Sequence, residues 1–397
     1  MNILILVPKL SNGGIEKISS NFSLNLPREY NQYIFSIMSQ PESYEFKVPP
    51  IILEQNLGKG IIGKFFVFLK RLIKLRKILY ENDIDICISF GERCNILNIL
   101  GSNNKIKTII TIHSQLSIEN KSKGVYGKIS TILAKYLYNK ANEVICVSKT
   151  VENDFNQIFK NSIAAQTIYN GHDLSSIVKL SNDKVINDNI DFISIGRITF
   201  AKGHFHLLRA LSIVKKDFPN VKLYIIGTYE KDNLQSILLD VISKYKLENN
   251  VIFTGYKSNP YPYLKKSKAL ILSSIFEGFP GVVIESLHLG IPVITSNCGG
   301  ATEVIAGKTA QELTIKHNES LITELGIITP PLNGIYDITA NYYNEEIILA
   351  KSMCMVLSNE ISFDKEVLVS STYKFNITEM INQYDKILKG TNNERSY

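Results

Sequence analysis

Short apolar runs alternate with longer amphipathic stretches along the whole chain. In the first half, Ile3–Val7, Tyr33–Ile37, Ile84–Ser89, Thr108–Ile112, Glu143–Val147 and Gln166–Tyr169 have the length and composition of buried strands. Between them Glu16–Leu26, Lys64–Tyr80, Gly127–Asn139 and Lys149–Phe159 carry helical periodicity. The alternation then restarts. Strands are predicted at Asp191–Ile195, Lys222–Ile226, Val251–Thr254, Ala269–Leu272 and Pro292–Thr295, and helices at His204–Lys216 and Asp232–Tyr245. Continuous apolar strands separated by helices predict parallel sheets covered on both faces. Two such series predict two doubly wound α/β domains. The polar stretch Asp173–Asn189 reads as the linker between them. The domains then fall at 1–175 and 176–375, with 376–397 expected to form a C-terminal helix that crosses back to the first domain. Residues 306–345 fit the alternation poorly: apolar islands such as Gly326–Thr329 sit among polar residues and two prolines. That segment reads as a surface excursion, followed by a helix at Glu345–Leu357.

Composition adds limits. Hydrophobic residues make up 45% of the 397 and charged residues 20%, which is enough to build two cores. Ile3–Val7 is too short for the apolar region of a signal peptide, and no run reaches membrane-spanning length. The five cysteines, Cys87, Cys94, Cys146, Cys298 and Cys354, are odd in number and scattered, as expected of reduced thiols in the cytoplasm. Charge is uneven. Residues 1–170 hold 21 Lys and Arg against 13 Asp and Glu, whereas the remainder holds 23 against 24. A basic first half points to an anionic partner there, or to a mildly lysine-rich solvated surface. No compact basic motif with interleaved aromatics supports nucleic acid.

The segment richest in chemistry is Ser273–Glu303. A strand, Ala269–Leu272, ends in the turn Glu277–Gly278–Phe279–Pro280. A helix follows from Gly281 to about Leu289 and stops at Gly290, with Pro292 beyond. A helix N-terminus at the carboxyl end of a parallel strand is an anion site. Glu277 and Glu285 are eight residues apart, a spacing that would not align them on one helical face. It suits one carboxylate in the loop and one within the helix. Each can accept two hydrogen bonds from a vicinal diol, one on a ribose and one on a hexose. Two exposed acids that favour the helix dipole are the plainer alternative.

This segment resembles the E-x7-E signature of the retaining glycosyltransferase family 4, and the resemblance covers nearly the whole chain. Asn12–Gly13–Gly14–Ile15–Glu16 is similar to that family's N-terminal Gly-Gly-x-Glu loop, and Thr111–Ile112–His113 to its histidine after a strand. Tyr169–Asn170–Gly171–His172–Asp173 resembles its interdomain turn, and Ile195–Gly196–Arg197 with Lys202–Gly203 its phosphate-binding pair. The resemblance implies a GT-B fold, two Rossmann-like domains facing a central cleft. It implies that Arg197 and Lys202 clamp a donor diphosphate, that Gly13 and Gly14 let backbone approach the phosphates, and that His113 meets a donor-sugar hydroxyl. Glu277 with Phe279, Pro280, Gly281 and Val282 would hold the transferred sugar, and Glu285 the ribose. Backbone around Gly255–Tyr256–Lys257 would face the base, and Glu303 would assist at the donor site. Ile226–Gly227–Thr228–Tyr229–Glu230 lacks the second glycine common in that family loop.

The expected activity is transfer of a hexose or N-acetylhexosamine from a nucleotide-diphosphate sugar, by default UDP-linked, to a glycan or lipid-linked acceptor in cell-surface polysaccharide synthesis. No metal or other cofactor is expected, because cations on the chain can meet the diphosphate. Asp83–Ile84–Asp85 spells the D-x-D of a metal-dependent glycosyltransferase fold, but it stands at the entry of a buried strand and is read as solvated acids. A nucleotide-sugar epimerase or hydrolase on the same fold, and a silent nucleotide-sugar-binding partner subunit, are the competing readings. On the acceptor side, Lys59–Tyr80 interleaves Lys64, Lys70, Arg71, Lys74, Arg76 and Lys77 with Phe65, Phe66, Phe68, Leu69, Leu72 and Ile73. Such a helix can lie on the anionic inner face of the cell membrane, or simply bury one face in its domain. Arg93 and Lys123 are further acceptor-side candidates.

Overall fold

The computed structural model describes residues 1–10, 13–38, 44–53, 58–122, 124–160, 163–230 and 234–390. Asn12, Lys123 and the first residues of the Asp232–Tyr245 helix lie outside them. The chain divides into two units, Met1–His172 joined by Phe375–Tyr397, and Asp173–Lys374.

The first unit begins with β1 (Asn2–Val7), α1 (Gly14–Asn25), β2 (Asn31–Ser36), β3 (Ile51–Ile52), α2 (Gly60–Glu81), β4 (Ile86–Phe90) and α3 (Glu92–Gly101). It continues with β5 (Lys107–Ile112), α4 (Leu116–Ser122), α5 (Gly124–Leu137), β6 (Glu143–Cys146), α6 (Lys149–Phe159) and β7 (Ala165–Thr167). The sheet order is β3-β2-β1-β4-β5-β6-β7, and its pairs are parallel. Each central strand buries both faces. Ile3, Ile5 and Val7 join one core with Ile18 and Phe22 of α1. Leu4 and Leu6 join the opposite core with Leu75 and Leu79 of α2. That two-sided burial is why these strands are unbroken apolar runs. Helix ends follow their caps: the Ser148 side chain accepts from Val151 N at the start of α6, and Lys160 closes α6 in a left-handed turn (φ +52°).

The second unit holds α7 (Leu174–Ser181), β8 (Phe192–Ile195), α8 (His204–Asp217), β9 (Leu223–Ile226), α9 (Leu234–Tyr245), β10 (Val251–Gly255), α10 (Tyr261–Lys266) and β11 (Ala269–Leu272). Then come α11 (Gly281–His288), β12 (Val293–Ser296), α12 (Gly300–Ala306), β13 (Leu321–Ile322), β14 (Gly326–Thr329), α13 (Asn344–Leu357) and α14 (Lys365–Ser370). The sheet order is β10-β9-β8-β11-β12-β14-β13, parallel except for the β13–β14 pair. The last helix, α15 (Ile377–Leu388), belongs to the first unit. Its Ile377, Met380, Ile381, Tyr384, Ile387 and Leu388 pack into the core that contains Phe22. Each such side chain contributes roughly 1.5–3 kcal/mol on burial. Gly171 lies under this helix, where a Cβ would come 2.7 Å from Ile377 Cα. His172 N donates to Phe375 O and Ile377 N to His172 O, each at 2.9 Å, tying the return crossing to the outgoing one.

Two sequence expectations are corrected. Asp173–Asn189 is not wholly a linker: Asp173 caps Ser176 N, and α7 buries Leu174 and Ile177 beside α10 and α11. Its first acid, Asp173, is a helix start rather than linker polarity. Nor is 306–345 wholly a surface excursion. Gly326–Thr329 is the fully buried strand β14, paired to β12 from Val293↔Gly326 to Ser296↔Thr329. A four-residue strand flanked by polar turns leaves little periodicity to read. Among the described residues no helix is long and apolar enough to cross a membrane.

Candidate active site

In the second unit the chain runs outward from β8 through β9 to β10, then returns to lay β11 on the other side of β8. The carboxyl ends of β8 and β11 flank this reversal, where open parallel sheets bind ligands. Two loops leave it. One carries Gly196, Arg197 and a short 3-10 turn, Phe200–Lys202; the other runs from Ser273 to Pro280. They are laced together: Ser273 Oγ donates to Lys202 O at 3.0 Å, and Ile275 N to Ala201 O at 2.7 Å. Gly203 (φ +60°) permits this, because a Cβ there would sit 2.0 Å from Ser273 O.

The lacing brings Lys202 Nζ to 2.5 Å from Glu277 Oε1, with side chains 23% and 14% exposed. Ser274 Oγ donates to the same carboxylate oxygen at 2.6 Å, and Ser296 Oγ fixes Ser274 O at 2.5 Å. A cation and a carboxylate are thus held together, partly desolvated, at the end of β11. Beyond them Phe279 and Pro280 are buried, and Pro280 stands at the N-cap of α11. The half-buried Gly281 and Val282 form the first turn, whose N–H groups have no partner within the helix. Gly300, at the start of α12, packs where a Cβ would come 2.3 Å from Gly278 O. Glu303 is buried in the same helix's first turn.

Glu285 is buried within α11, and Tyr261 OH of α10 donates to its Oε1 at 3.2 Å. The eight-residue spacing does place one acid in the loop and the other in the helix. Arg197 is more exposed and pairs with Glu230 after β9. Tyr256 is exposed beyond β10, just past Gly255 (φ +70°). Gly196 N donates to Ile226 O and Gly227 N to Gly255 O, so the ends of β8, β9 and β10 stand side by side. Arg197, Lys202, Tyr256, Glu277 and Glu285 therefore lie on elements gathered at one edge of one sheet or covering it.

In the first unit Gly13 is the N-cap of α1 and Gly14 its first residue. The buried Glu16 carboxylate folds back over the helix start: a Cβ on Gly13 would lie 1.9 Å from Glu16 Oε2. Around Gly14 a Cβ would meet nothing within 4 Å. His113 follows β5, half-buried, its ring centroid 5.8 Å from that of Phe90 and its Nε2 2.8 Å from Thr111 Oγ1. Removal from water pushes its pKa down to about 4, so the imidazole is neutral at physiological pH. Arg93 is exposed on α3. Asp85, of the rejected D-x-D, accepts from Asn2 N at 2.8 Å at the amino ends of the strands, away from the ligand edge.

A family model described as Glycosyltransferase Family 4 matches residues 12–176, and one described as Glycosyl transferases group 1 matches residues 179–324. An uncharacterized glycosyltransferase of Methanocaldococcus jannaschii is 30% identical over 369 residues, covering 86% of this chain and 88% of that protein. The chain belongs to glycosyltransferase family 4. Another relative of this family-4 glycosyltransferase is the N-acetylgalactosamine-N,N'-diacetylbacillosaminyl-diphospho-undecaprenol 4-alpha-N-acetylgalactosaminyltransferase of Campylobacter jejuni, 28% identical over 76% of this chain and 82% of its own. Among solved structures, Anabaena HepE in complex with UDP shares the two-domain GT-B fold, with a TM-score of 0.73, 19% identity, and coverage of 98% of this chain and 100% of that one.

Three features of this family-4 glycosyltransferase escaped the sequence reading. Ser274, which shares the Glu277 oxygen with Lys202, stands at the Ser-x-x-Glu spacing of a capping box, a signal that could have found it. Tyr261, on Glu285, carries no such signal. The third is a buried cluster on α8: Arg209 Nε donates to both Glu346 oxygens at 2.9 Å, and His206 Nδ1 lies 2.8 Å from Glu346 Oε1. Arg209 Nη2 reaches Ala340 O and Asn341 O, so the segment before α13 is strapped onto α8. Tyr336 of that segment donates to Phe200 O at 3.0 Å, in the turn that carries Lys202.

Proposed function

We propose that this glycosyltransferase moves a hexose or N-acetylhexosamine, with retention of configuration, from a UDP-sugar to a glycan or lipid-diphosphate-linked acceptor in polysaccharide synthesis. The Lys202–Glu277 pair at the sheet's reversal point carries the reading. A cation beside a helix start suits a diphosphate whose charge grows as it leaves, and a carboxylate beside it suits the hydroxyls of the departing sugar. Lys202, Arg197 and the first N–H groups of α11 would stabilise the leaving group without a metal. Gly13 and Gly14 would admit backbone to the phosphates. Glu285 would bind the ribose, Tyr256 would stand by the base, and His113 would accept from a donor-sugar hydroxyl. Transfer passes through an oxocarbenium-like state. In the retaining route proposed, the acceptor attacks from the leaving-group face and gives its proton to the departing phosphate. The UDP complex of HepE supports the choice of UDP, and the diphospho-undecaprenol in the Campylobacter relative's name supports a lipid-linked acceptor.

Donor hydrolysis with UDP-, GDP- and ADP-sugars in the presence of EDTA tests this. Turnover is expected with UDP-sugars alone and unchanged by chelation. Preference for another base overturns the donor, and loss on chelation overturns the metal-free reading.

The acceptor reading includes an anionic membrane surface. Val67, Leu75 and Leu79 of α2 are buried, yet Ile62, Phe65, Phe66, Ile73 and Tyr80 of the same helix are exposed. Ile62, Phe66, Ile73 and Tyr80 form one stripe at helical spacing, flanked by exposed Lys70, Lys74, Arg76 and Lys77. α3 contacts both α2 and α5, and α5 also leaves Ile132, Leu133 and Tyr136 exposed beside Lys135. Arg71 is half-buried on the inward side of α2 and takes no part in the stripe. Co-sedimentation with phosphatidylglycerol vesicles is expected, weakening at least tenfold in Phe66→Ser/Ile73→Ser and at high salt. Equal binding to neutral vesicles, or none to anionic ones, rejects this part of the reading.

A further inference from the structure

We propose that Thr111 is a positioning residue that locks His113 in a single tautomer, with hydrogen on Nε2 and a lone pair on Nδ1 offered to the ligand. This rests on the reading, proposed above, that His113 meets a donor-sugar hydroxyl. β4 and β5 lie side by side, and Thr111 Oγ1 is 2.8 Å from Ser89 O and also 2.8 Å from His113 Nε2. A hydroxyl has one proton to give, and a carbonyl oxygen can only accept. That proton therefore goes to Ser89. Thr111 then meets the imidazole as an acceptor, and Nε2 must carry the hydrogen. If Thr111 donated to a bare Nε2 instead, the lone pairs of Oγ1 and Ser89 O would face each other at 2.8 Å. Thr111 and Ser89 are both 0% exposed, so no water relieves that repulsion.

The frame around the lock is fixed by two buried amides. Ser89 Oγ donates to Asn95 Oδ1 at 2.8 Å, and Asn95 Nδ2 donates to Thr111 O at 2.9 Å. Asn98 Nδ2 donates to Cys87 O at 2.9 Å. Ser89 and Thr111 thus cannot drift apart without breaking bonds that no solvent replaces. Burial keeps the ring neutral, so the lone pair on Nδ1 is retained at working pH. The chemistry of the ligand follows. The group that meets His113 must donate a hydrogen bond, as a hydroxyl or amide N–H does; an ether oxygen or a fluorine cannot.

The test uses the full chain labelled with 15N-histidine. Long-range 1H–15N correlations report which ring nitrogen is protonated, and His113→Asn assigns the signal. Wild type and Thr111→Ser are expected to show Nε2–H. Thr111→Val, which keeps the shape and removes the hydroxyl, is expected to show mixed tautomers and about tenfold lower kcat/KM for the donor, restored in Thr111→Ser. Among deoxyfluoro analogues of the donor, one position should lose activity well beyond the others. Nδ1–H in wild type, or an unchanged tautomer in Thr111→Val, overturns the proposal. The wild-type spectrum decides even if Thr111→Val does not fold. A shifted tautomer with unaltered turnover instead overturns the role of His113 in donor recognition and leaves the lock in place.

Discussion

Replacing Lys202 with alanine will lower kcat/KM for transfer by about 10²–10³-fold, the usual cost of removing one preorganised group that meets charge developing in a transition state. The expectation comes from how the amine is held. Its turn is laced to the end of β11 by Ser273 and Ile275, and the amine lies 2.5 Å from Glu277. Little reorganisation remains when negative charge appears beside it. Lys202→Arg will rescue poorly. A Cβ on Gly196 would come 3.2 Å from Lys202 Cε, so the stem runs close against backbone, and a guanidinium is a broad fork where the ammonium is a compact charge. Glu277→Gln will also fall by at least tenfold, because the amide neither balances Lys202 nor accepts from Ser274 and a sugar hydroxyl as a carboxylate does. Steady-state rates with matched thermal midpoints check this. A rate within threefold of wild type for Lys202→Ala would remove the pair from the proposed chemistry.

The largest effect on stability is expected at Arg209. Arg209→Met should destabilise the second unit by about 3–5 kcal/mol, because it takes from the buried Glu346 carboxylate the guanidinium that meets both its oxygens. Both side chains are 0% exposed. At about 2–4 °C per kcal/mol for a unit of this size, the midpoint should fall by roughly 10 °C. Arg209→Met with Glu346→Leu should recover much of the loss, since a buried ion pair replaced on both sides often costs little. Thermal unfolding of the two single variants and the double variant measures this, and additive losses would show that the ion pair is not the source. Activity should suffer too. Arg209 straps the segment that contains Tyr336, and Tyr336 holds Phe200 in the turn that positions Lys202.

What could be read from the sequence was local. The β/α alternation declared itself because each central strand buries both faces, so β4 is the unbroken Ile86–Phe90. Glu277 and Glu285 were legible because the Gly-Phe-Pro turn before α11 marks where loop becomes helix. Long-range features left no mark. Arg209 and Glu346 are separated by 137 residues, and a buried arginine in a helix has the same periodicity as an exposed one. Tyr261 and Glu285 meet only because α10 packs on α11. Asp173 looked like linker polarity because an N-cap and a loop acid are the same residue type until the following Leu174 and Ile177 are seen to be buried. β14 is hidden for a related reason: Gly326–Thr329 is too short for its period to stand out, and its burial depends on β12, whose residues pair with it from 33 positions earlier in the chain.

The placement of α15 has a consequence for biosynthesis. The first unit is discontinuous in sequence: its core, with Phe22 and Ile18, is closed by Ile377–Leu388, which are made only after the whole second unit. The second unit, Asp173–Lys374, is one unbroken stretch. During vectorial synthesis the half that emerges first therefore cannot finish folding first. It must wait, with the part of α1 that packs on α15 uncovered, until the other half has been translated and α15 leaves the ribosome. That exposed interval is when chaperones would be needed, and a stop codon before Ile377 would leave the nascent first half permanently incomplete.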